Sequence, residues 1–421
     1  MNFSMKKAVL LLLTVSLCMG FTACGTSGTP ISDDTAGKNG ESANTTAAPE
    51  TTAPVTTVAP EPTTDPVQQT PQTYPLGKNT KGVKVLGVRN EPSSTWITCD
   101  WTCSGFEMNV NCTAAGDMTF EAISNAGAYF RAYIDGKAWV GTSTYYTVSN
   151  TLSKIVLKDV PAGAHTVRLI KVTGHTLATA QVTSVTFCGT ISDTAPAEKE
   201  LYIEFVGDSI CCGWGLIGAH DGDFTAQDGS LAYPYLTASA MNADYSVTAL
   251  SGQGLLMGNP GIENGYLLTS PRRSTNAYGF TRKANVVVIN IGTNDYGYRE
   301  SEHITAEQFG TAYLRFLQTV REKNAGCRVI CLYNAMNDTF SDQIKSAVSE
   351  MGGEESGIWL LSLTRAKSGH PDIAEQAAYA TELKPVIEQA LAATIQSNYL
   401  LTAEQSGDGM SVSYNDFKKL N

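Results

Sequence analysis

Four residues that together could carry out acyl-ester chemistry each come after an apolar run with the composition of a β-strand. They are Ser209, Gly252, Asn294 and His370. The runs that precede them cover residues 201–206, 245–250, 285–291 and 358–363. In an open sheet of parallel strands the carboxyl ends meet at one edge, where such sheets form their sites. We therefore expect the four residues to converge.

Each of the four residue types has a defined use in ester cleavage. Ser209 is the expected nucleophile, and His370 is the expected general base that accepts its proton and later protonates the leaving alcohol. The tetrahedral intermediate needs hydrogen-bond donors for its oxyanion. The candidates are the backbone N–H groups of Ser209 and Gly252 and the side-chain amide of Asn294, with Gly254 as an alternative to Gly252. Each residue alone also fits a helix cap or a turn, so the prediction depends on their combination.

The other four of the five histidines are weaker candidates for the base. His165 and His175 fall in a β-rich region, and His303 comes just before a helix with strong capping signals, where a surface role is expected. His220 is close to Ser209 in sequence and could line the cleft, but a base from that loop would be unusual.

Two further residues are candidates for substrate contact. Trp214 follows the nucleophile closely, and an aromatic ring there could stack on a pyranose. Asp295 could accept hydrogen bonds from sugar hydroxyls. The alternatives are a packed core tryptophan and an aspartate that caps a turn.

An α/β region over residues 198–396 would position these side chains. Five apolar runs, including one at 328–333, alternate with helical patterns at 304–323 and 372–394. This predicts a three-layer α/β/α sandwich around a five-stranded parallel sheet. Thr305 and Gln308 form a capping-box pattern, and Pro371 suits the first turn of the second helix. Pro385 is expected to kink or split that helix.

Residues 78–192 read as an all-β domain. Short alternating runs are separated by turn signals such as Asp135-Gly136, and helical periodicity is scarce. This predicts a sandwich of jelly-roll type.

The first 77 residues carry sorting signals and a spacer. Lys6 and Lys7 precede a short apolar stretch, so residues 1–23 are predicted to be a signal peptide. The segment ending in Cys24 resembles a bacterial lipobox, which implies lipidation of Cys24 and attachment to the outer face of the cell membrane. Residues 24–77 are rich in Thr, Pro and Ala and predict a disordered linker. Residues 397–421 are expected to be a loose tail.

The run GDSICCGWG at 207–215, together with Gly252, Asn294 and His370, resembles the SGNH (GDSL-like) hydrolases. The nearer resemblance is to carbohydrate esterase family 2, also through the stretches at 100–107 and 129–135. It implies an acetylxylan esterase-like removal of acetyl groups from hemicellulose or its oligosaccharides. Many SGNH hydrolases place an aspartate two or three residues before the histidine, where this chain has Ser368 and Lys367. Members of family 2 work with a Ser–His dyad whose histidine is held by a backbone carbonyl, and the same is expected here.

Composition and net charge indicate which kinds of partner to expect. The net charge of −11 and the absence of a basic cluster after the N-terminus argue against nucleic acid. No metal or cofactor is expected, and a monomer is expected. Ten cysteines in 421 residues do not make a disulfide framework, although Cys99, Cys103, Cys112 and Cys188 could pair. Two alternatives remain: another SGNH activity, such as lipid, peptidoglycan or sialic-acid deacylation, or a non-catalytic polysaccharide-binding surface protein with a vestigial site.

Overall fold

The computed structural model describes residues 70–87, 89, 93–140, 144–218, 226–296 and 304–395, which lie in one compact unit. The predicted signal peptide, Cys24 and the predicted C-terminal tail are outside these residues. No helix in the described part of the chain is both long and apolar enough to span a bilayer.

The N-terminal half of the described chain forms two antiparallel sheets. One sheet has the order β1-β11-β5-β9 with β3 beside β11, and the other has the order β12-β4-β10-β6-β7 with β2 beside β4 and β8 beside β6. The strands are β1 (Gln72–Pro75), β2 (Val83–Leu86), β3 (Ile97–Cys99), β4 (Ser104–Cys112), β5 (Gly116–Ser124), β6 (Ala128–Ile134), β7 (Lys137–Trp139), β8 (Tyr146–Val148), β9 (Ser153–Val160), β10 (Gly163–Lys171), β11 (Ala180–Phe187) and β12 (Gly189–Ile191).

The two sheets enclose one apolar core. Alternate residues of the long strands point inward, as in β6, where buried and half-buried positions alternate along the strand. Phe106 on one sheet packs against Phe120 on the other at 5.9 Å between ring centroids. The predicted all-β sandwich is therefore present, while its jelly-roll connectivity stays a prediction.

The β region begins earlier in the chain than the predicted boundary at residue 78. β1 pairs with β11 from Gln72↔Phe187 to Pro75↔Ser184, inside the range 24–77 that was predicted to be linker. The strand supplies ladder hydrogen bonds to an edge of the sheet, which composition alone did not reveal.

The second half of the described chain is the predicted α/β/α sandwich. Its sheet has the order β14-β13-β17-β18-β19 and is parallel throughout. The main strands are β13 (Tyr202–Gly207), β14 (Asp244–Ala249), β17 (Val286–Asn290), β18 (Arg328–Tyr333) and β19 (Ile358–Ser362), with the hairpin β15 (Leu268–Ser270) and β16 (Ser274–Ala277). The helices are α1 (Ser209–Cys212), α2 (Tyr233–Ala240), α3 (Ile262–Gly265), α4 (Ala306–Lys323), α5 (Ser341–Glu350) and α6 (Ile373–Ala392).

Both faces of this sheet are covered. In β17, Val286 and Val288 belong to the core under α2 and α6, while Val287 and Ile289 belong to the core under α4 and α5. A strand buried on both faces has no polar face to present, which explains its continuous apolar run.

Two details of the helices can be compared with the sequence. The capping box of Thr305 and Gln308 at the start of α4 is confirmed. Pro385 does not split α6, which runs unbroken through it. Leu383 and Ile387 on either side of the proline are fully buried in the core under the sheet, so packing stabilises the helix on both sides of Pro385.

The β region and the α/β region share a buried, charged interface. The Arg89 guanidinium donates to Glu204 on β13 at 2.9 and 3.1 Å, and both side chains are almost completely buried. The same guanidinium lies over the ring of Tyr278 at 4.2 Å. Lys84 on β2 pairs with Asp244 on β14 at 2.6 Å. The two regions therefore pack as one body rather than as loosely linked modules.

Candidate active site

The nucleophile candidate lies at a tight turn between β13 and α1. A Cβ on Gly207 would lie 2.3 Å from the Cys211 sulfur and 2.9 Å from the Asn290 carbonyl oxygen, so only glycine fits this turn. Asp208 caps α1 by accepting a hydrogen bond from the Ile210 N–H at 3.0 Å. Ser209 is thereby placed at the carboxyl edge of the sheet and is 5% exposed.

The predicted base reaches this serine. His370 Nε2 lies 2.8 Å from Ser209 Oγ, which is hydrogen-bond distance. His370 is half-buried and lies just before Asp372, the N-cap residue of α6. The fully buried Gln376 on α6 donates to the Ile210 carbonyl at 3.0 Å. This bond ties the helix that follows the histidine to the helix that carries the serine.

The predicted oxyanion donors lie around the same serine. Gly252 has φ +78°, and a Cβ there would meet nothing within 4 Å. Within the described residues, neither the Ser209 N–H nor the Gly252 N–H donates a hydrogen bond. Gly254 is a poor alternative, because its N–H donates to the Met257 carbonyl at 2.8 Å.

The Asn294 amide is engaged by the protein. Its Nδ2 donates to the Gln253 carbonyl at 3.0 Å and to Asp208 Oδ2 at 3.3 Å. The second bond is the longer one, and Asp208 is the neighbour of the nucleophile. An oxyanion at this position would therefore compete with Asp208 for one amide hydrogen.

Asp208 has an unusual protonation balance. The pKa of this carboxyl is raised to about 7, mainly by burial and also by the nearby Asp295, while the hydrogen bond from the Ile210 N–H acts in the opposite direction. The group beside the nucleophile therefore changes charge near neutral pH.

Asp295, which the sequence predicts to contact substrate, lies in the protein interior. It is fully buried, and its carboxylate accepts the backbone N–H groups of Leu255 at 2.6 Å, Leu256 at 2.8 Å and Met257 at 3.1 Å. A carboxylate without solvent access cannot meet a sugar hydroxyl. Its role is to hold the loop after β14, which corresponds to the turn-capping alternative.

Trp214 is at the site, but against the base. Its ring is stacked on the His370 imidazole, with 5.5 Å between centroids and 25° between planes. The indole is half-buried, and it belongs to the turn that ends α1.

A buried hydrogen-bonded bridge of three residues, Gly174, Gln227 and Ser251, was not identified from the sequence. Gln227 is fully buried, and its Oε1 accepts the Gly174 N–H at 3.1 Å while its Nε2 donates to Ser251 Oγ at 3.4 Å. Gly174 belongs to the β region and Ser251 directly precedes Gly252. No sequence signal could have linked three residues so far apart in the chain.

The remaining candidates take no part in this cluster. His165 bonds Asp135 at 2.8 Å, and the buried His175 stacks on Trp101 at 4.6 Å, both in the β region. His220 and His303 lie outside the described residues. The described cysteines form no disulfide, and the described residues contain no cluster of three metal-ligating side chains.

Residues 205–395 match the GDSL-like lipase/acylhydrolase family. The cellulase/esterase CelE of Acetivibrio thermocellus is 32% identical over 60% of this chain and 31% of its own length. The acetylxylan esterase/glucomannan deacetylase of Cellvibrio japonicus is 27% identical over 53% of this chain and 66% of its own length. The chain thus spans less than two thirds of either relative.

A solved structure is similar over both regions. A family two carbohydrate esterase from Clostridium thermocellum, in complex with cellohexaose, superposes with a TM-score of 0.66 and 26% identity over 74% of this chain and 99% of its own. Residues 205–395 are therefore similar to a GDSL-like lipase/acylhydrolase domain, and both regions together share the fold of a family two carbohydrate esterase.

Proposed function

We propose that this chain is a carbohydrate O-acetylesterase that removes acetyl groups from hemicellulose, such as xylan or mannan, or from its oligosaccharides. The observation that carries the proposal is the 2.8 Å distance between Ser209 Oγ and His370 Nε2 at the carboxyl edge of the parallel sheet. The acetylxylan esterase/glucomannan deacetylase and the cellohexaose complex among similar proteins support a glycan ester as substrate.

The chemistry follows a Ser–His dyad. Ser209 Oγ attacks the acetyl carbonyl carbon while its proton passes to His370 Nε2, so Nδ1 carries the other proton. The carbonyl oxygen becomes an oxyanion, which accepts hydrogen bonds from the N–H groups of Ser209 and Gly252, with the Asn294 amide as a third donor. The bond to the sugar oxygen then breaks, and His370 protonates that oxygen. Water attacks the acetyl-serine by the same route and acetate leaves.

The direct test is acetate release from acetylated xylan and acetylated glucomannan, with 4-nitrophenyl acetate as a small reference ester. Ser209→Ala should lower kcat by at least about 10³-fold, because the covalent route is lost. Ser239→Ala is the matched control, since Ser239 is exposed near the end of α2.

Three outcomes separate the possibilities. Acetate release that disappears in Ser209→Ala supports the esterase. A wild-type protein that releases no acetate from any of these esters, yet still binds the glycans, is instead a binding protein with a vestigial site. Rapid cleavage of long-chain acyl esters with none of the glycan esters would identify a different SGNH activity.

The second part of the proposal is attachment to the outer face of the bacterial cell membrane through a lipid on Cys24. It is supported by the sequence alone, since Cys24 lies outside the described residues. Expression in a bacterial host with an alkyne-labelled fatty acid should give a labelled protein in the membrane fraction. Cys24→Ala should lose the label and leave the membrane; an equally labelled variant would refute the anchor. A monomer is expected for the released protein, which light scattering can measure.

A further inference from the structure

Trp214 is built into the same turn as the nucleophile. Its backbone N–H donates to the Ser209 carbonyl at 3.2 Å. The glycines on either side, Gly213 and Gly215, both have φ +70°, which a side chain rarely adopts. A Cβ on Gly213 would also lie 2.2 Å from the Asp228 carbonyl oxygen. The backbone at Trp214 is therefore held in place relative to Ser209 by a turn that requires glycine.

The indole face is directed at the base. The Trp214 and His370 rings are 25° from parallel with centroids 5.5 Å apart, within the range of aromatic stacking. The face of an indole attracts cations most strongly among side-chain rings. His370 becomes a cation each time it takes the serine proton, so this contact is stronger in the transition state than before it.

We propose that Trp214 is a positioning residue that holds the His370 imidazole over Ser209 and stabilises its protonated form, in place of a platform for the sugar. This inference rests on the proposed esterase function. It accounts for a base that has Lys367 and Ser368 where many SGNH hydrolases have an aspartate.

The charged and titratable groups on the surrounding elements have other partners. Glu375 accepts the backbone N–H groups of Lys367 and Asp372 at 2.9 Å each, and Asp372 accepts that of Glu375 at 2.8 Å. On the α1 side, burial raises the pKa of Cys212 to about 12 and raises that of Cys211 well above its usual value, so both thiols stay neutral. Asp208 alone among the groups beside the nucleophile has a pKa raised to about 7.

The test compares a sugar-free ester with a glycan ester. We expect Trp214→Leu to lower kcat about 3- to 30-fold on both 4-nitrophenyl acetate and acetylated xylo-oligosaccharide. Trp214→Leu should also lower the pKa of His370 by about half to one unit, because losing the indole destabilises the protonated imidazole more than the neutral one. Trp214→Phe, which keeps an aromatic face, should recover most of both effects. Trp139→Leu is the control, as a half-buried tryptophan of the β region.

Because Asp208 titrates in the same range, His370 is followed directly by NMR in the Ser209→Ala background, with and without Trp214→Leu. If Trp214→Leu does not fold, Trp214→Phe can be measured in its place. For this variant we expect a smaller fall in kcat and in the pKa of His370. A loss confined to KM for the oligosaccharide, with kcat on 4-nitrophenyl acetate and the His370 titration unchanged, would overturn the inference. Wild-type protein inactive on every ester would refute the esterase function instead, so the two failures are distinct.

Discussion

A methyl group on Gly174 should impair the site from the opposite domain. Gly174 lies in the β region, and its N–H donates to Gln227 Oε1 at 3.1 Å. Gln227 Nε2 in turn donates to Ser251 Oγ at 3.4 Å, next to the proposed oxyanion donor Gly252. In Gly174→Ala the added Cβ would lie 2.3 Å from Gln227 Oε1 and 3.3 Å from Cys212 Sγ.

The size of the effect follows from these distances. Real Cβ contacts are essentially never under 3.0 Å, so a contact of 2.3 Å requires the amide to move by at least the difference, 0.7 Å. The end of the Gln227 side chain yields more readily than buried backbone, and its movement weakens both hydrogen bonds. Two buried hydrogen bonds contribute about 1–3 kcal/mol to stability. A shift of this size in the loop before Gly252 should lower kcat by about 10- to 100-fold.

The assay measures kcat and KM on 4-nitrophenyl acetate, together with urea unfolding. Gly127→Ala is the matched control, because a Cβ there meets nothing within 4 Å. We expect kcat to fall in Gly174→Ala with little change in KM, and neither to change in Gly127→Ala. Equal kcat in the two variants would refute the argument that Gln227 transmits the position of the β region to the oxyanion loop.

Three further predictions concern buried charges. Burial lowers the pKa of His175 to about 4. Between pH 6.5 and 4 the unfolded chain therefore binds a proton that the folded chain does not bind. The free energy of unfolding should fall by up to about 3 kcal/mol as the pH drops through this range. His175→Gln should flatten that dependence in urea titrations at several pH values. Arg89→Met should cost about 3–5 kcal/mol of unfolding free energy, and adding Glu204→Gln should recover part of it; additive costs would contradict a coupled pair. Asp295→Asn should cost about 1.5–3 kcal/mol and affect glycan and 4-nitrophenyl esters equally, whereas a KM effect on glycans alone would restore its predicted role in substrate contact.

The sequence predicted the α/β region well because its signals are local. Continuous apolar runs such as 286–289 mark strands that are buried on both faces, and the capping box at Thr305 marks a helix start. The convergence of Ser209 and His370 was predicted because both residues follow parallel strands whose carboxyl ends share one edge of the sheet.

The features that the sequence did not predict depend on contacts between residues far apart in the chain. Asp295 and a substrate-binding aspartate have the same sequence signal, and only burial separates them. β1 is stabilised by a partner more than 100 residues away in the chain. The contact between Trp214 and His370 and the bridge through Gln227 join segments whose proximity no spacing rule encodes.

The buried pair of Arg89 and Glu204 limits how such a protein can be recombined. Exchanging the β region for one that lacks an arginine at this point would leave the Glu204 carboxylate, which is almost fully buried, without its counter-charge. The α/β region would be destabilised at Glu204, although none of its own residues is changed. The two regions therefore depend on each other, and a chimaera that crosses over between them should fold only when the parent of its β region also has an arginine at the position of Arg89.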